Sequence, residues 1–251
     1  MPVNEQVELH KGLKNVYFDR SEIGSVDPTG KLHYRGYNIH DLAEHSTFEE
    51  TCYLLLHNSL PTSSQLKEFD SELRGNRQLP DQVLKIIHLT QNAHPMDVLR
   101  TAISAMSVID SELFDFSPES TIKKGVRLTA AAASIVAAHA RTRTGQEVIP
   151  PDQKLGHAAN FLYMLQGIRP SSEDARLIDK DLVLHAEHGV NASTFGARVA
   201  AATGADYYAA ITAAIAVLKG PKHGGAAEAV MQMSMEIGNE ENAEDYISDI
   251  L

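Results

Sequence analysis

The chain has 251 residues and a formal net charge of −11 at pH 7, because 33 acidic side chains outnumber 22 basic ones. This acidic balance argues against nucleic acid or an anionic membrane surface as a partner. The hydrophobic fraction of 43% suffices for a buried core in one large domain, or in a large domain with a smaller one.

The sequence shows neither a secretory signal nor an apolar run long enough to span a bilayer. A single cysteine, Cys52, excludes an intrachain disulfide and is expected to pack as a small apolar residue. We therefore predict a cytoplasmic protein with no membrane partner.

Strand character is confined to the first forty residues or so. Segments 15–18 and 31–34 flank Asp27-Pro28-Thr29-Gly30, a turn signal in which proline presets φ and glycine tolerates a positive φ. These features predict a small N-terminal β-hairpin lying over a helical body.

From Asn38 onward the signals are helical. Thr47 and Thr62 each precede a Glu or Gln by three residues, which predicts capping boxes at two helix starts. Ser172 is expected to cap another helix. Further helices are predicted from residue 80 and over 94–110, 120–144, 157–166, 172–185 and 195–219. About ten helices and almost no sheet predict an all-α, multi-helical fold.

Small side chains recur over 130–140 and 197–216. Because small residues let helices approach closely, these stretches are candidate contacts of a two-fold symmetric homodimer. At the other end of the sequence, Tyr246, Ile247, Ile250 and Leu251 form an apolar pattern with no helix stop after it. We therefore expect a truncated chain.

Two histidine-containing motifs enclose the stretch 195–219. The first is residues 185–194 (HAEHGVNAST), and the second is residues 220–225 (GPKHGG). We expect two helix ends, each presenting a histidine, to surround a small anionic ligand. Seven other histidines are expected at the surface or at helix caps: His33, His40, His45, His57, His88, His139 and His157.

His185 and His188 are three residues apart and would share one face of a helix. Such a pair can ligate a metal, but no third ligand lies at a recognisable offset, so metal binding is the less favoured alternative. His188, followed by Gly189 and Asn191, better suits an anionic substrate, because imidazole and amide groups both donate hydrogen bonds to carboxylates.

His223 lies where Gly220-Pro221 ends one helix and another resumes. We expect Gly224 and Gly225 to let a ligand approach the backbone. The positive end of the helix dipole disfavours an imidazolium. A neutral imidazole there could donate a hydrogen bond to a developing enolate oxygen. A plain Gly-Pro turn is the alternative.

These motifs resemble the citrate synthase and 2-methylcitrate synthase family, as do residues 32–37 (LHYRGY) and His94-Pro95-Met96. The resemblance covers essentially the whole chain. It implies a helical homodimer with a large domain, here 1–220, and a small domain that begins at 221–251. It also implies an acyltransferase that condenses acetyl-CoA or propionyl-CoA with oxaloacetate, using these substrates and no further cofactor.

By the same resemblance, His188 is the oxaloacetate-binding histidine and His223 is the catalytic histidine that stabilises the enol. Asn191 receives an ancillary role in oxaloacetate binding. The family's later Gly-His loop, arginines and aspartate base have no counterpart before Leu251, so this chain alone is expected to be inactive. The alternative is a catalytically inactive helical module for dimerisation or regulation.

Overall fold

The computed structural model describes residues 20–250, which form a small antiparallel sheet followed by twelve α-helices. The strands are β1 (Gly24–Val26), β2 (Leu32–Tyr34) and β3 (Tyr37–Asn38), in that order across the sheet. The helices are α1 (Ile39–His45), α2 (Phe48–His57), α3 (Ser63–Gly75), α4 (Asp81–Leu89), α5 (Pro95–Ala105), α6 (Pro118–Thr142), α7 (His157–Gln166), α8 (Ser172–Leu184), α9 (Ala192–Ala202), α10 (Tyr207–Leu218), α11 (Gly224–Ile237) and α12 (Ala243–Ile250). The predicted all-α class is confirmed.

The predicted hairpin exists, but its first strand is a different segment. β1 pairs with β2 so that Gly24 lies opposite Tyr34. The turn between them is the predicted one, with Gly30 at φ 85° and the Asp27 carboxylate accepting backbone hydrogen bonds. The strand predicted at 15–18 lies outside the described residues. The sequence of β1, GSV, gave no strand signal because glycine is depleted in strands.

Most helices begin where the capping signals predict. Thr47 and Thr62 both form complete capping boxes. Pro80 is the N-cap of α4 rather than its first residue. Ser171, not Ser172, caps α8, because Ser171 has an extended backbone while Ser172 is already helical. The Ala-rich stretch over 195–219 forms two helices, α9 and α10.

Two buried hydrophobic clusters share the long helix α6. Val126 and Ala130 belong to the first cluster, together with side chains of α1, α2, α3 and α8. Leu128 and Ile135 belong to the second, with side chains of α4, α5 and α10. Cys52 lies in the first cluster, and burial raises the pKa of its thiol to about 12. α6 is therefore the central element on which both halves of the body pack.

The alanines of α6 face the interior of the chain. Ala130, Ala131, Ala137 and Ala138 are at most 2% exposed, because α4, α5 and α7 pack closely on α6. These four side chains are therefore not available to a second subunit, contrary to the expectation for residues 130–140.

Two histidines expected at the surface or at caps are buried instead. His139 is 3% exposed, and a ring nitrogen lies 3.0 Å from the Gln91 carbonyl oxygen. His157 is 4% exposed and packs against Phe48 at the start of α7. None of the helices in the described part of the chain is both long and apolar enough to cross a bilayer.

Candidate active site

The first motif lies in a loop between two helices, not on one helix face. α8 ends at Leu184, and Gly189 has a φ of 65°, which no right-handed helix can contain. The prediction that His185 and His188 share a helix face is therefore wrong. The His185 ring instead hydrogen-bonds the Asp181 carbonyl oxygen at 2.9 Å. The side chain of His188 is exposed on the loop.

The loop that carries His188 is held by the N-terminal sheet. The Tyr34 hydroxyl lies 2.9 Å from the Leu184 carbonyl oxygen and 3.2 Å from the Glu187 carbonyl oxygen. It also accepts a hydrogen bond from the Glu187 N–H at 3.3 Å. Tyr34 is completely buried, so these bonds connect β2 to the loop without competition from water.

Asn191 ends the loop as the N-cap of α9. Its side-chain oxygen accepts from the Thr194 N–H at 2.8 Å and from the Ser193 hydroxyl at 2.7 Å. The same Ser193 Oγ lies 3.0 Å from Nε2 of His223. Ser193 thereby joins the two motifs, and Asn191 and His223 belong to one hydrogen-bonded group. Among the described residues, no hydrogen bond links the His188 side chain to this group.

The Ser193 hydroxyl has one proton, which sets the tautomer of His223. If the hydroxyl donates to Nε2, a neutral His223 carries its proton on Nδ1 and can donate it to a ligand. If the hydroxyl donates to Asn191, Nε2 of His223 becomes the donor and Nδ1 an acceptor. Only the first arrangement equips a neutral His223 to stabilise an enolate.

His223 is the N-cap of α11, at the helix start that the sequence predicts. Its N–H donates to the Gly220 carbonyl oxygen at 2.9 Å, which closes the turn after α10. A Cβ at Gly224 would lie 2.5 Å from the Leu218 carbonyl oxygen. Gly224 is thus required by the chain's own backbone, a different reason from the ligand approach that we expected.

Both ends of α10 are fixed to the helical body by polar contacts. The turn that presents His223 follows α10 directly and is therefore fixed as well. At its start, the Tyr208 hydroxyl donates to Asp110 at 2.6 Å and accepts from Arg127 at 2.8 Å. Burial and the bond to Asp110 raise the pKa of Tyr208 to about 12. At its end, Lys219 pairs with Asp97 at 2.5 Å.

His94 connects the start of α5 with α11. Its Nδ1 accepts from the Met96 N–H at 3.2 Å, so a neutral ring carries its proton on Nε2. Nε2 lies 3.3 Å from a carboxylate oxygen of Glu228. A cavity of about 250 Å³ lies beside this pair and is also lined by Lys219 and Gly224.

A larger cavity, of about 600 Å³, opens between α2, α3, α7 and α8 and contains no residue of either motif. The helix N-termini that border it are already occupied. Glu49 accepts from the His157 N–H at 2.7 Å, and Asp179 accepts from the Phe48 N–H at 3.0 Å. The larger volume of this cavity is therefore not a sufficient reason to place the candidate site there instead of at His223. No group of three His, Cys, Asp or Glu side chains in the described part of the chain could hold a metal ion.

The family profile described as citrate synthase, C-terminal domain, matches residues 12–251 of this chain. The chain belongs to the citrate synthase family. The citrate synthase of Deinococcus radiodurans is 45% identical over 242 residues, which are 96% of this chain and 64% of that protein. The 2-methylcitrate synthase 1 of Corynebacterium glutamicum is 42% identical over 251 residues, which are 97% of this chain and 66% of that protein. The chain thus spans slightly less than two thirds of the length of these relatives.

Solved structures of citrate synthases share the fold. The citrate synthase of Pyrobaculum aerophilum has a TM-score of 0.88 and 39% identity, covering 93% of this chain and 61% of that chain. The citrate synthase of Thermoplasma acidophilum, in a ternary complex with carboxymethyl coenzyme A and oxaloacetate, has a TM-score of 0.90 and 28% identity. That match covers 96% of this chain and 64% of that chain.

Ser193 and Tyr34 make contacts in the site of this citrate synthase family member, although the sequence analysis did not assign them to it. Ser193 follows the Asn191 N-cap by two residues, and this adjacency was a signal that could have drawn attention to it. Tyr34 lies about 150 residues before the loop that it holds, so no local pattern could have found its role.

Proposed function

We propose that this chain forms the part of a citrate synthase-type acyltransferase that binds oxaloacetate and activates the acyl-CoA. The reaction condenses acetyl-CoA or propionyl-CoA with oxaloacetate to give citrate or 2-methylcitrate and CoA. The observation that carries the proposal is the contact between Ser193 and His223, because it assembles both motifs at the N-termini of α9 and α11. Membership of the family supports the same reaction.

In this proposal His188 and Asn191 bind oxaloacetate. The His188 imidazole is exposed on a loop whose backbone is fixed, so it can donate to a substrate carboxylate. The side-chain oxygen of Asn191 accepts from the Thr194 N–H. Its amide nitrogen remains as a donor to a second oxygen of the substrate.

His223 acts on the acyl-CoA. This role requires the Ser193 hydroxyl to turn its proton from Asn191 to Nε2 of His223, so that the Nδ1–H of His223 donates to the thioester carbonyl oxygen. This bond strengthens as negative charge develops on the enolate, so it lowers the barrier to proton removal. One such donor typically contributes about 3–4 kcal/mol, or about 10²–10³ in rate.

The proposal includes both acetyl-CoA and propionyl-CoA as acyl donors. Acetyl and propionyl differ by one methylene, and a hydrophobic pocket distinguishes such a pair by only about 1–3 kcal/mol. Relatives named citrate synthase and 2-methylcitrate synthase are 45% and 42% identical to this chain, which favours neither group.

We extend the proposal to a homodimer and to a cytoplasmic location, in keeping with the lone buried thiol of Cys52. The segment 221–251 is proposed as the beginning of the small domain. In its favour, α11 contains no buried residue, whereas each α-helix before it except α9 contains at least one.

Isothermal titration calorimetry with oxaloacetate tests the assignment of the two histidines. His188→Ala should weaken binding about tenfold to hundredfold, since a hydrogen bond to a charged group contributes about 1.5–3 kcal/mol. His223→Ala should change the affinity by no more than about twofold, because its partner is the thioester.

His45→Ala is the matched control, because His45 is an exposed histidine at the end of α1. It should bind oxaloacetate like the wild-type chain. Absence of binding by the wild-type chain, or equal binding by wild type and His188→Ala, would contradict the proposal.

A further inference from the structure

Tyr34 holds the residue that immediately precedes His188 by both of its backbone polar groups. The hydroxyl lies 3.2 Å from the Glu187 carbonyl oxygen and accepts from the Glu187 N–H at 3.3 Å. It is also 2.9 Å from the Leu184 carbonyl oxygen, at the end of α8. The peptide group that leads into His188 is therefore restrained from the N-terminal sheet.

The Tyr34 hydroxyl is suited to this role because it stays protonated. Burial raises the pKa of Tyr34, so its O–H remains a donor at neutral pH. Its one proton is shared between the carbonyl oxygens of Leu184, at 2.9 Å, and Glu187, at 3.2 Å, while its oxygen accepts from the Glu187 N–H. Removing the oxygen would leave both backbone groups of Glu187 without this partner.

The Glu187 side chain is held by the neighbouring strand. Its Oε1 accepts from the Gly189 N–H, on the other side of His188. Its Oε2 is buried, has no partner among the described residues and packs against Gly24, where any Cβ would overlap the carboxylate. Gly24 and Tyr34 are register partners in the β1–β2 ladder. One cross-strand pair thus restrains both the backbone and the side chain of Glu187.

We propose that this contact between the Gly24–Tyr34 pair and Glu187 positions the His188 imidazole for oxaloacetate. The inference rests on the proposed function, in which His188 binds that substrate. The neighbours of His188 on both sides are restrained, whereas its own side chain is exposed. Tyr34 and Glu187 are positioning residues that act through His188.

Tyr34→Phe tests the inference, with two readouts on the full chain. Oxaloacetate affinity, measured by calorimetry, should fall about tenfold, because misplacement of a binding group by about 1 Å can cost up to about 10²-fold. The Hε1–Cε1 resonance of His188, assigned by its absence in His188→Ala, should shift or split. A role confined to general stability would leave that resonance in place in the folded protein.

Tyr53→Phe is the matched control, because Tyr53 is a buried tyrosine of the same hydrophobic cluster as Tyr34. It should keep both the affinity and the His188 resonance of wild type. Gly24→Ala is a second test that retains the Tyr34 hydroxyl but displaces the Glu187 carboxylate, and it should shift the same resonance. It also covers the case in which Tyr34→Phe fails to fold.

Wild-type affinity and an unshifted His188 resonance in the folded Tyr34→Phe or Gly24→Ala variant would overturn the positioning role alone. Absence of oxaloacetate binding by the wild-type chain would instead overturn the proposed function, and the positioning role with it. The two failures are therefore distinguishable.

Discussion

His157 is a buried histidine whose environment favours the neutral ring. It is 4% exposed and stacks near Phe48 with ring centroids 4.9 Å apart. Its Nδ1 has no hydrogen-bond partner among the described residues. Burial, followed by the positive charge of Arg77, lowers the pKa of His157 to about 4.

This lowered pKa makes the stability of the fold depend on pH. Between about pH 6.5 and pH 4 the unfolded chain binds a proton at His157 that the folded chain does not. The free energy of unfolding should therefore fall by about 3 kcal/mol as the pH falls through this window. In His157→Gln, urea denaturation at a series of pH values should show this loss removed.

The control for that comparison is His45→Gln, which removes an exposed histidine and should retain the wild-type pH dependence. The pKa of Glu49, which caps the same helix as His157, is raised by burial and acts in the opposite direction. Glu49 is present in all three proteins and cancels. Identical pH dependence in wild type and His157→Gln would show that the His157 ring is not held neutral.

At the level of single residues, the sequence predicted what depends on local signals. The Gly220-Pro221 break places His223 at a helix start, which the structure confirms. The contact of Ser193 with His223 joins positions 30 residues apart through the packing of α9 on α10, so no local signal contains it. The roles of these residues in catalysis stay predictions.

Among the elements, the pair α9 and α10 depends on small residues for its packing. Gly196 of α9 faces Val217 of α10, and a Cβ at Gly196 would lie 3.0 Å from a Val217 methyl carbon. The turn that follows α10 is tighter still, because Gly224 packs against the backbone of Leu218. Close packing of these elements is what brings the His223 helix start to Ser193.

Gly224→Ala is expected to destabilise the chain by about 1–3 kcal/mol, because its Cβ would approach a backbone oxygen that cannot rotate away. Urea denaturation measures the change. The matched control is Gly75→Ala at the end of α3, where a Cβ meets nothing within 4 Å. Alanine there should be neutral or stabilise by about 0.4–1 kcal/mol. Equal stability of the two variants would refute the steric argument for Gly224.

The elements themselves were largely predictable, and the exceptions have physical causes. Capping boxes and Gly stops are local, so α2 and α3 begin where they are expected. β1 exists because β2 pairs with it, not because of its own sequence. His188 lies in a loop and not in a helix, because α8 ends at Leu184 and Gly189, with its positive φ, cannot belong to a right-handed helix.

Viewed as a whole molecule, the described chain leaves apolar side chains exposed on α9, α10 and α11. Val199, Val217, Val230, Met231 and Met235 are between 37% and 73% exposed. Exposed apolar side chains of this kind are typical of a subunit contact. This surface, and not the buried alanines of α6, is where we place the proposed homodimer contact.

Sedimentation velocity at micromolar concentration should therefore show a dimer, and Met231→Lys should shift it toward a monomer. A lysine at the centre of an apolar contact loses hydration without gaining a partner, which typically costs several kcal/mol of association free energy. Leu89→Lys is the control, because Leu89 is 82% exposed at the end of α4, outside this surface. A monomeric wild-type chain, or a Met231→Lys variant that remains dimeric, would contradict the prediction.

Fold class and family could both be predicted from the sequence, because helix caps and the two motifs are dense local signals. The boundary between the domains at about residue 220 stays a prediction. A domain boundary is a property of long-range packing, and its only local sign is the Gly220-Pro221 break.

The few contacts that hold α11 to the body have a consequence for ligand binding at His223. α11 buries no side chain, and its described side-chain hydrogen bonds to the body are the contacts of His223 with Ser193 and of Glu228 with His94. A helix attached in this way opens locally at low free energy and exchanges its amide hydrogens early. A ligand bound by His223 draws on the same free energy that orders α11, so the two are reciprocally coupled. A change that makes α11 open more readily lowers the affinity for that ligand. The bound ligand in turn slows amide exchange in α11 by the same factor.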